Sequence, residues 1–392
     1  MASSRFNSNT GMIEVRAYAG KDPITGKVRN LFRSLPGDSE PEAVIGVCAE
    51  LQEQADALKG RSIPFTVKSA IEYYFDCIAS DHSATTMDAY RSNARCYVYP
   101  FIGDRRLDDL QPFEITRLYQ RLIDKGGKDE NPVSNSTVAK LHAWLKPAFD
   151  YLVGLGIAGS NPFSYVKRPR ENQEEAFALS EIDLTVLVDY LYEASNLDSD
   201  EFDMLNVALL LCLNTGVRRG ELAGFRVGDY KSRTSSISVK SNLVQTTKGL
   251  VRKVPKSKHS RRNISLPIDV CNVLDGYLFW QREMLDVHGI RQRSDTPLFC
   301  DKEGAPIHPR MFAKHLRYLV GKLKLDRSIH LHTLRHTHAT ALLDLGVNIK
   351  TISERLGHSD VGVTLRIYSH VLPGRDEQAA NTFSEAVMHR DV

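Results

Sequence analysis

The spacing of hydrophobic positions changes character along the chain. Between residues 12 and 35 it alternates. Met12-Ile13-Glu14-Val15-Arg16-Ala17-Tyr18 leads into a stretch at 21–27 that contains Pro, Gly and Asp, and Val28 to Leu35 follows. Alternation predicts strands, and the middle stretch predicts a turn. Ser39 to Glu42 has the form of a capping box with Pro41 in the first turn, which predicts a helix to about Leu58. From 62 to 165 the period is helical. Thr66 can cap a helix bearing Val67, Ala70, Ile71, Tyr74, Phe75 and Ile78; a second runs from about Thr85 to Tyr99; Pro112 opens a third with Ile115, Leu118, Tyr119 and Leu122 on one face. A fourth carries Val138, Leu141, Trp144, Leu145, Phe149 and Leu152, is predicted to kink at Pro147, and ends at Gly154 and Gly156.

Residues 164–178 are polar and read as a linker. Beyond them Ser180 caps a helix through Asp183, and an apolar run from Val207 to Leu213 predicts a buried helix. Strands and turns fill Ile237 to Pro267. Helices are predicted at Cys271 to Met284, from Pro309, at His330 to Leu345 and at Ile349 to Leu356. Ala379, Phe383, Ala386 and Val387 form a last helical stripe. The expectation is a multidomain, mainly α chain. It has a small β-sheet-plus-helix domain at 1–61, a helical domain at 62–170, a linker at 171–178, and a mixed α+β domain with a C-terminal tail at 179–392.

Composition narrows the class. The 392 residues are 42% hydrophobic and 25% charged, as in ordinary globular proteins. MASSRFNSNTG lacks an apolar core, which argues against a signal peptide, and the longest apolar run is too short to span a bilayer. Six cysteines (48, 77, 96, 212, 271 and 300) form no CxxC, so reduced, mostly buried thiols in a cytoplasmic protein are expected, with no zinc site. Net charge is only +3. Any basic surface must therefore be local. One such patch exists: Lys248, Arg252, Lys253, Lys256, Lys258, Arg261 and Arg262 fall together without an acidic residue between them.

The candidate chemistry lies between His330 and His370. His332 and Arg335 are three apart and share a helix face. His358 follows in Leu356-Gly357-His358, and Tyr368 comes ten residues later. A tyrosine hydroxyl titrates near pH ~10 and is a poor nucleophile at neutral pH. It becomes useful where cations stabilise its anion and the charge developing on its target. Upstream, Thr215-Gly216-Val217-Arg218-Arg219-Gly220-Glu221 places an arginine and a glutamate three apart after a buried helix.

These residues resemble the tyrosine recombinase, or phage integrase, family. The resemblance rests on Thr215-Gly216-Xaa-Arg218-Xaa-Xaa-Glu221, on His332 to Arg335, on Leu356-Gly357-His358, and on Ile367-Tyr368-Ser369-His370. It implies two phosphate-binding arginines, Arg218 and Arg335, with Glu221 as a buttress. Spacing from Thr215-Gly216 favours Arg218 over Arg219. Lys256-Ser257-Lys258-His259-Ser260-Arg261-Arg262 fits the family's lysine hairpin, with Ser257 in place of Thr; Lys256 is the expected general acid and Lys258 its main rival. Tyr368 is the implied nucleophile, His332 assists proton transfer, and His358 hydrogen-bonds the phosphate. Neither a cofactor nor a metal is implied.

The resemblance also implies double-stranded DNA as partner. A three-stranded arm-type domain would use Arg16, Lys21, Lys27, Arg29 and Arg33 in the major groove. A SAM-like core-binding domain would offer Arg91, Arg95, Lys140 and Lys146 to phosphates. The basic patch would add Lys248, Lys258, Arg261 and Arg262. A homotetramer on DNA, arm and core attachment sites, and a directionality factor or host bending protein are the further expected partners, with no membrane. Three other readings stand beside this one. They are a type IB topoisomerase-like enzyme, a metal-dependent hydrolase using the His332/His336 pair, and an inactive DNA-binding regulator.

Overall fold

The computed structural model describes residues 2–8, 10–21, 28–58, 65–171, 177–247, 249–254, 260–358, 360–368 and 383–384. Two compact units divide it, Met1–Asn172 and Gln173–Val392.

The first unit begins with an antiparallel sheet, β1 (Ser3–Asn7), β2 (Met12–Lys21) and β3 (Val28–Pro36), with β2 in the middle. Alternation on β2 turns Val15, Ala17 and Ala19 toward α1 (Pro41–Leu58), where they cluster with Leu51 and Ala55. The opposite face carries Arg16, whose guanidinium lies 5.8 Å from the Phe32 ring centre. Hydrophobic alternation did not reveal β1, because Ser-Ser-Arg-Phe-Asn is an exposed edge strand with no buried face to pattern it.

A separate helical core follows: α2 (Val67–Ile78), α3 (Ala84–Asn93), α4 (Tyr99–Ile102), α5 (Pro112–Lys125) and α6 (Asn135–Gly154). Thr66 caps α2 by accepting from Ser69 N–H. The predicted helix from Thr85 to Tyr99 extends to Ile102 and widens into a π turn at Ala94–Val98. Pro100 accounts for the irregularity. It has no N–H for the carbonyl four residues back, and that Cys96 carbonyl accepts from Lys128 N–H at 2.9 Å instead. Pro147 lies within α6.

In the second unit α8 (Met204–Thr215) is buried along almost its whole length and forms the centre of the core. Around it pack α7 (Glu181–Glu193), α10 (Ile268–Val287), α11 (Pro309–Lys322) and α12 (Leu331–Asp344). The short α9 (Arg219–Gly224) follows α8. One antiparallel sheet orders β4 (Tyr230–Lys231), β5 (Ser236–Val239) and β8 (Arg262–Ser265); β6 (Asn242–Thr246) and β7 (Gly249–Lys253) make a separate ribbon. The elements α13 (Ile349–Leu356) and α14 (Val361–Tyr368) complete the unit. The expected multidomain, mainly α fold with small sheets is present.

Two expectations need correction or restriction. The cysteines are free, but only Cys212, Cys271 and Cys300 are buried; Cys48 and Cys96 are half-buried and Cys77 is exposed. Of the turn expected at 21–27, Lys21 ends β2 while 22–27 lie outside the described residues, as does most of the C-terminal stripe. No helix among the described residues is long and apolar enough to cross a membrane.

Candidate active site

The site is built on two helix C-termini. A helix leaves its last carbonyls without intrahelical donors, and these carry the negative end of its dipole. Gly216 ends α8 at φ +62° and Gly357 ends α13 at φ +69°, both left-handed. A Cβ on Gly216 would lie 2.8 Å from Leu356 Cδ2, so the two ends approach closely. Their carbonyls are taken up by arginines. At the end of α13, Arg355 O accepts from Arg262 Nε at 2.6 Å, Leu356 O from Arg335 Nη2 at 2.8 Å, and Gly357 O from Arg218 Nη2 at 3.4 Å. At the end of α8, Gly216 O accepts from Arg335 Nη1 at 2.6 Å and Asn214 O from Arg355 Nη2 at 2.9 Å.

Glu221 is the carboxylate of this cluster. Its side chain is 6% exposed. Arg218 is the N-cap residue of α9, and Glu221 in the first turn accepts from Arg218 N–H at 2.9 Å and from Arg218 Nη1 at 3.0 Å. The Arg-Xaa-Xaa-Glu spacing is thus a local capping arrangement. Burial alone would raise the Glu221 pKa; the guanidinium of Arg262, then Arg218, outweighs it and holds the carboxyl below the ordinary carboxylate range. The Arg218 side chain remains 39% exposed, open to an incoming anion.

Arg262 corrects an expectation. The basic run predicts it on the DNA surface, yet its side chain is 7% exposed and bonds Glu221 through Nη2 at 2.9 Å and Nη1 at 3.2 Å. Its planar fork matches the carboxylate. Glu221 therefore has arginines on both sides, and Arg262 faces inward from β8. Arg261 beside it is exposed.

Arg335 is buried on α12 and donates from Nη2 to His358 Nε2 at 2.8 Å. A guanidinium only donates, so that nitrogen is unprotonated. The proton then sits on Nδ1, which lies 2.7 Å from Thr364 Oγ1. The His358 pKa is lowered to about 4, first by burial and then by Arg335, Arg218 and Arg262. His332 has an exposed ring; crowding by protein atoms, then Arg335 and other nearby cations, also lowers its pKa. His336 and His338 are lowered to about 4, chiefly by burial. Among the described residues no three His, Cys, Asp or Glu side chains gather as a metal set.

Tyr368 ends α14, but its side chain lies outside the described residues, as do Lys248, Lys256, Lys258, Lys27 and the side chain of Arg29. Of the remaining expected DNA contacts, Arg16 is exposed on the sheet, Arg91 reaches Asp76 at 3.3 Å, Arg95 Nε donates to Arg91 O at 3.2 Å, and Lys140 is exposed. Sequence reasoning missed Arg355, whose Nε donates to His338 Nε2 at 2.9 Å. Its position in the last turn of a helix, two residues before the capping glycine, was the available signal. It also missed Thr364, which looks like any helical threonine until His358 is placed beside it.

Comparison with known proteins identifies the family. The phage integrase family profile matches residues 187–375, and the profile of the phage integrase N-terminal SAM-like domain matches 66–123. The ICEBs1 integrase of Bacillus subtilis (strain 168) is 26% identical over 383 residues, covering 96% of this chain and 97% of its own. A XerC-like tyrosine recombinase of Caldanaerobacter subterraneus subsp. tengcongensis is 26% identical over 332 residues, 80% of this chain and 81% of its own. The fold is shared with the Tn1549 transposon integrase in complex with a circular intermediate DNA, at a TM-score of 0.66 and 20% identity over 82% of this chain and 100% of that one. It is also shared with a lambda integrase dimer bound to a core site, at 0.55 and 17% over 93% of each. The two profiles fall on separate stretches, and the chain belongs to the phage integrase family, the tyrosine-type site-specific DNA recombinases.

Proposed function

We propose that this chain integrates and excises a mobile DNA element by cutting and rejoining DNA through a 3′-phosphotyrosyl intermediate and a Holliday junction. The observation that carries the proposal is the pair of arginines, Arg218 and Arg335, held at adjoining helix ends, Arg218 by the buried Glu221 and Gly357 O and Arg335 by Gly216 O and Leu356 O. Fixed cations aimed at a phosphate stabilise the charge of the pentacoordinate transition state without reorganising. Tyr368 attacks phosphorus, the P–O5′ bond breaks, and Lys256 protonates the leaving 5′ oxygen. His332, whose lowered pKa favours the neutral ring, takes the phenolic proton. The bond energy stays in the covalent link, and the 5′-hydroxyl of a partner duplex reverses the step.

The named relatives support the mobile-element reading: one is the integrase of ICEBs1, and one shared fold is a transposon integrase on circular intermediate DNA. A lambda integrase tetramer bound to a Holliday junction, at a TM-score of 0.53, supports a tetramer on DNA. Arm-type and core sites, a directionality factor or host bending protein, and action in the cytoplasm complete the proposal. The solvent face of the N-terminal sheet, with Arg16, would serve the arm sites.

A nicked suicide duplex carrying the core site, incubated with EDTA and run on a denaturing gel, tests the reaction. Wild type is expected to form a covalent protein–DNA band and Tyr368→Phe none. A band that persists in Tyr368→Phe removes Tyr368 as nucleophile, and a band that vanishes with EDTA revives the metal-dependent reading. Rejoining of the same strand without exchange between two sites would favour the topoisomerase-like alternative.

A further inference from the structure

Thr364 lies on α14, one turn before Tyr368, and its side chain is fully buried. Its hydroxyl oxygen is 2.7 Å from His358 Nδ1, while His358 Nε2 accepts from Arg335 Nη2. This ring state has a consequence for the reaction. With the proton on Nδ1, His358 has no N–H directed at the side where Arg335 sits. It cannot donate to a phosphate there until Nε2 carries a proton.

A scissile phosphate that draws the Arg335 guanidinium toward itself removes the donor from Nε2. The neutral ring then serves the phosphate only as the other tautomer, with Nε2 protonated and Nδ1 left as an acceptor. A hydroxyl both donates and accepts. Thr364 can therefore accept from Nδ1–H before DNA binds and donate to bare Nδ1 afterwards. Proton balance is maintained through water: one proton leaves Nδ1 and one is taken up at Nε2, with no net change. A buried ring nitrogen without such a partner would be left unsatisfied in one of the two states.

We infer that Thr364 is a positioning residue of the recombination site, whose hydroxyl partners His358 Nδ1 in both tautomers and so couples the Arg335–His358 pair to the helix that carries Tyr368. The inference rests on the phosphotyrosyl reading above. It adds a group that touches neither DNA nor the reacting atoms and acts through His358.

Two variants test it. Thr364→Val keeps the shape and removes the hydroxyl; Thr364→Ser keeps the hydroxyl. Each is measured for equilibrium binding to the core-site duplex and for single-turnover adduct formation on the suicide substrate. Thr364→Val is expected to bind DNA like wild type and to form the adduct roughly 10- to 100-fold more slowly, by analogy with loss of the outer partner of a metal-ligating histidine. Thr364→Ser is expected to recover most of the rate. In parallel, ¹⁵N spectra of histidine-labelled free protein, assigned with His358→Gln, should show His358 protonated at Nδ1 and bare at Nε2.

Wild-type cleavage by Thr364→Val, equal slowness of the Val and Ser variants, loss of DNA binding together with cleavage, or the opposite tautomer in the free protein would each overturn the assignment. These outcomes are read against an active wild type. Absence of a wild-type adduct, or its persistence in Tyr368→Phe, would instead remove the phosphotyrosyl reading itself.

Discussion

Replacing Arg262 by Met should destabilise the second unit by about 3 kcal/mol, the lower end of the range for breaking a buried ion pair by removing one partner. The substitution removes two charge-assisted bonds to Glu221 and the bond to Arg355 O. It leaves a carboxylate that is 6% exposed with Arg218 as its remaining charge partner. Arg218 also keeps its backbone N–H on Glu221, so the carboxylate is not orphaned, which places the cost at the low end. Replacing both partners, Arg262→Met with Glu221→Leu, should cost at least about 1.5 kcal/mol less than the sum of the single changes, because residues sharing one ion-pair network couple. The assay follows from the sequence. The chain has two tryptophans, Trp144 in the first unit and Trp280 in the second. Denaturant titrations followed by Trp280 fluorescence in a Trp144→Phe background therefore report the second unit alone. A cost under about 1 kcal/mol for Arg262→Met, or strict additivity in the double variant, would refute the view that this pair ties β8 to α9.

Gly357→Ala should destabilise the same unit by roughly 2–4 kcal/mol, since a Cβ would lie 2.7 Å from Arg262 Nη1 at a backbone φ of +69°. In an Arg262→Met background the same change should cost only about 1 kcal/mol, the left-handed penalty alone, and an unchanged cost there would disprove the steric account. Acid should unfold the unit early. His336, His338 and His358 are held near pKa 4 in the fold and return toward ~6.5 when unfolded. Between those values the unfolded chain binds more protons, so stability falls as pH drops from about 6.5 to 4, by roughly 2 kcal/mol per pH unit after allowance for partly exposed rings. Glu221, with a depressed pKa, extends the loss below pH 4. Denaturant midpoints measured from pH 8 to pH 4 check this, and a flat profile would contradict it.

Much of this architecture was legible because its causes are local. The bounds of α13 and the Ser180 cap on α7 follow from spacing and capping chemistry within one or two turns. Arg218 was separable from Arg219 for the same reason, since Glu221 reaches back only three residues. What was misread depends on partners far away in sequence. Arg262 looked like one more cation in a basic run, and its carboxylate lies 41 positions upstream. The π turn before Pro100 depends on a donor from Lys128.

The two glycines of the sequence boxes connect the local and the distant. Gly216 and Gly357 were legible as helix stops, but a stop is only half of their effect. By ending α8 and α13 close together, they leave carbonyls at both ends without helical donors. Three successive carbonyls of α13 select Arg262, Arg335 and Arg218, and Arg335 bridges to Gly216 O. The helix ends thus concentrate guanidinium groups that mutual repulsion would otherwise oppose, and two of them, Arg218 and Arg262, share the buried Glu221. The Thr-Gly and Leu-Gly boxes accordingly read as electrostatic supports of the proposed phosphate site, in addition to being chain reversals.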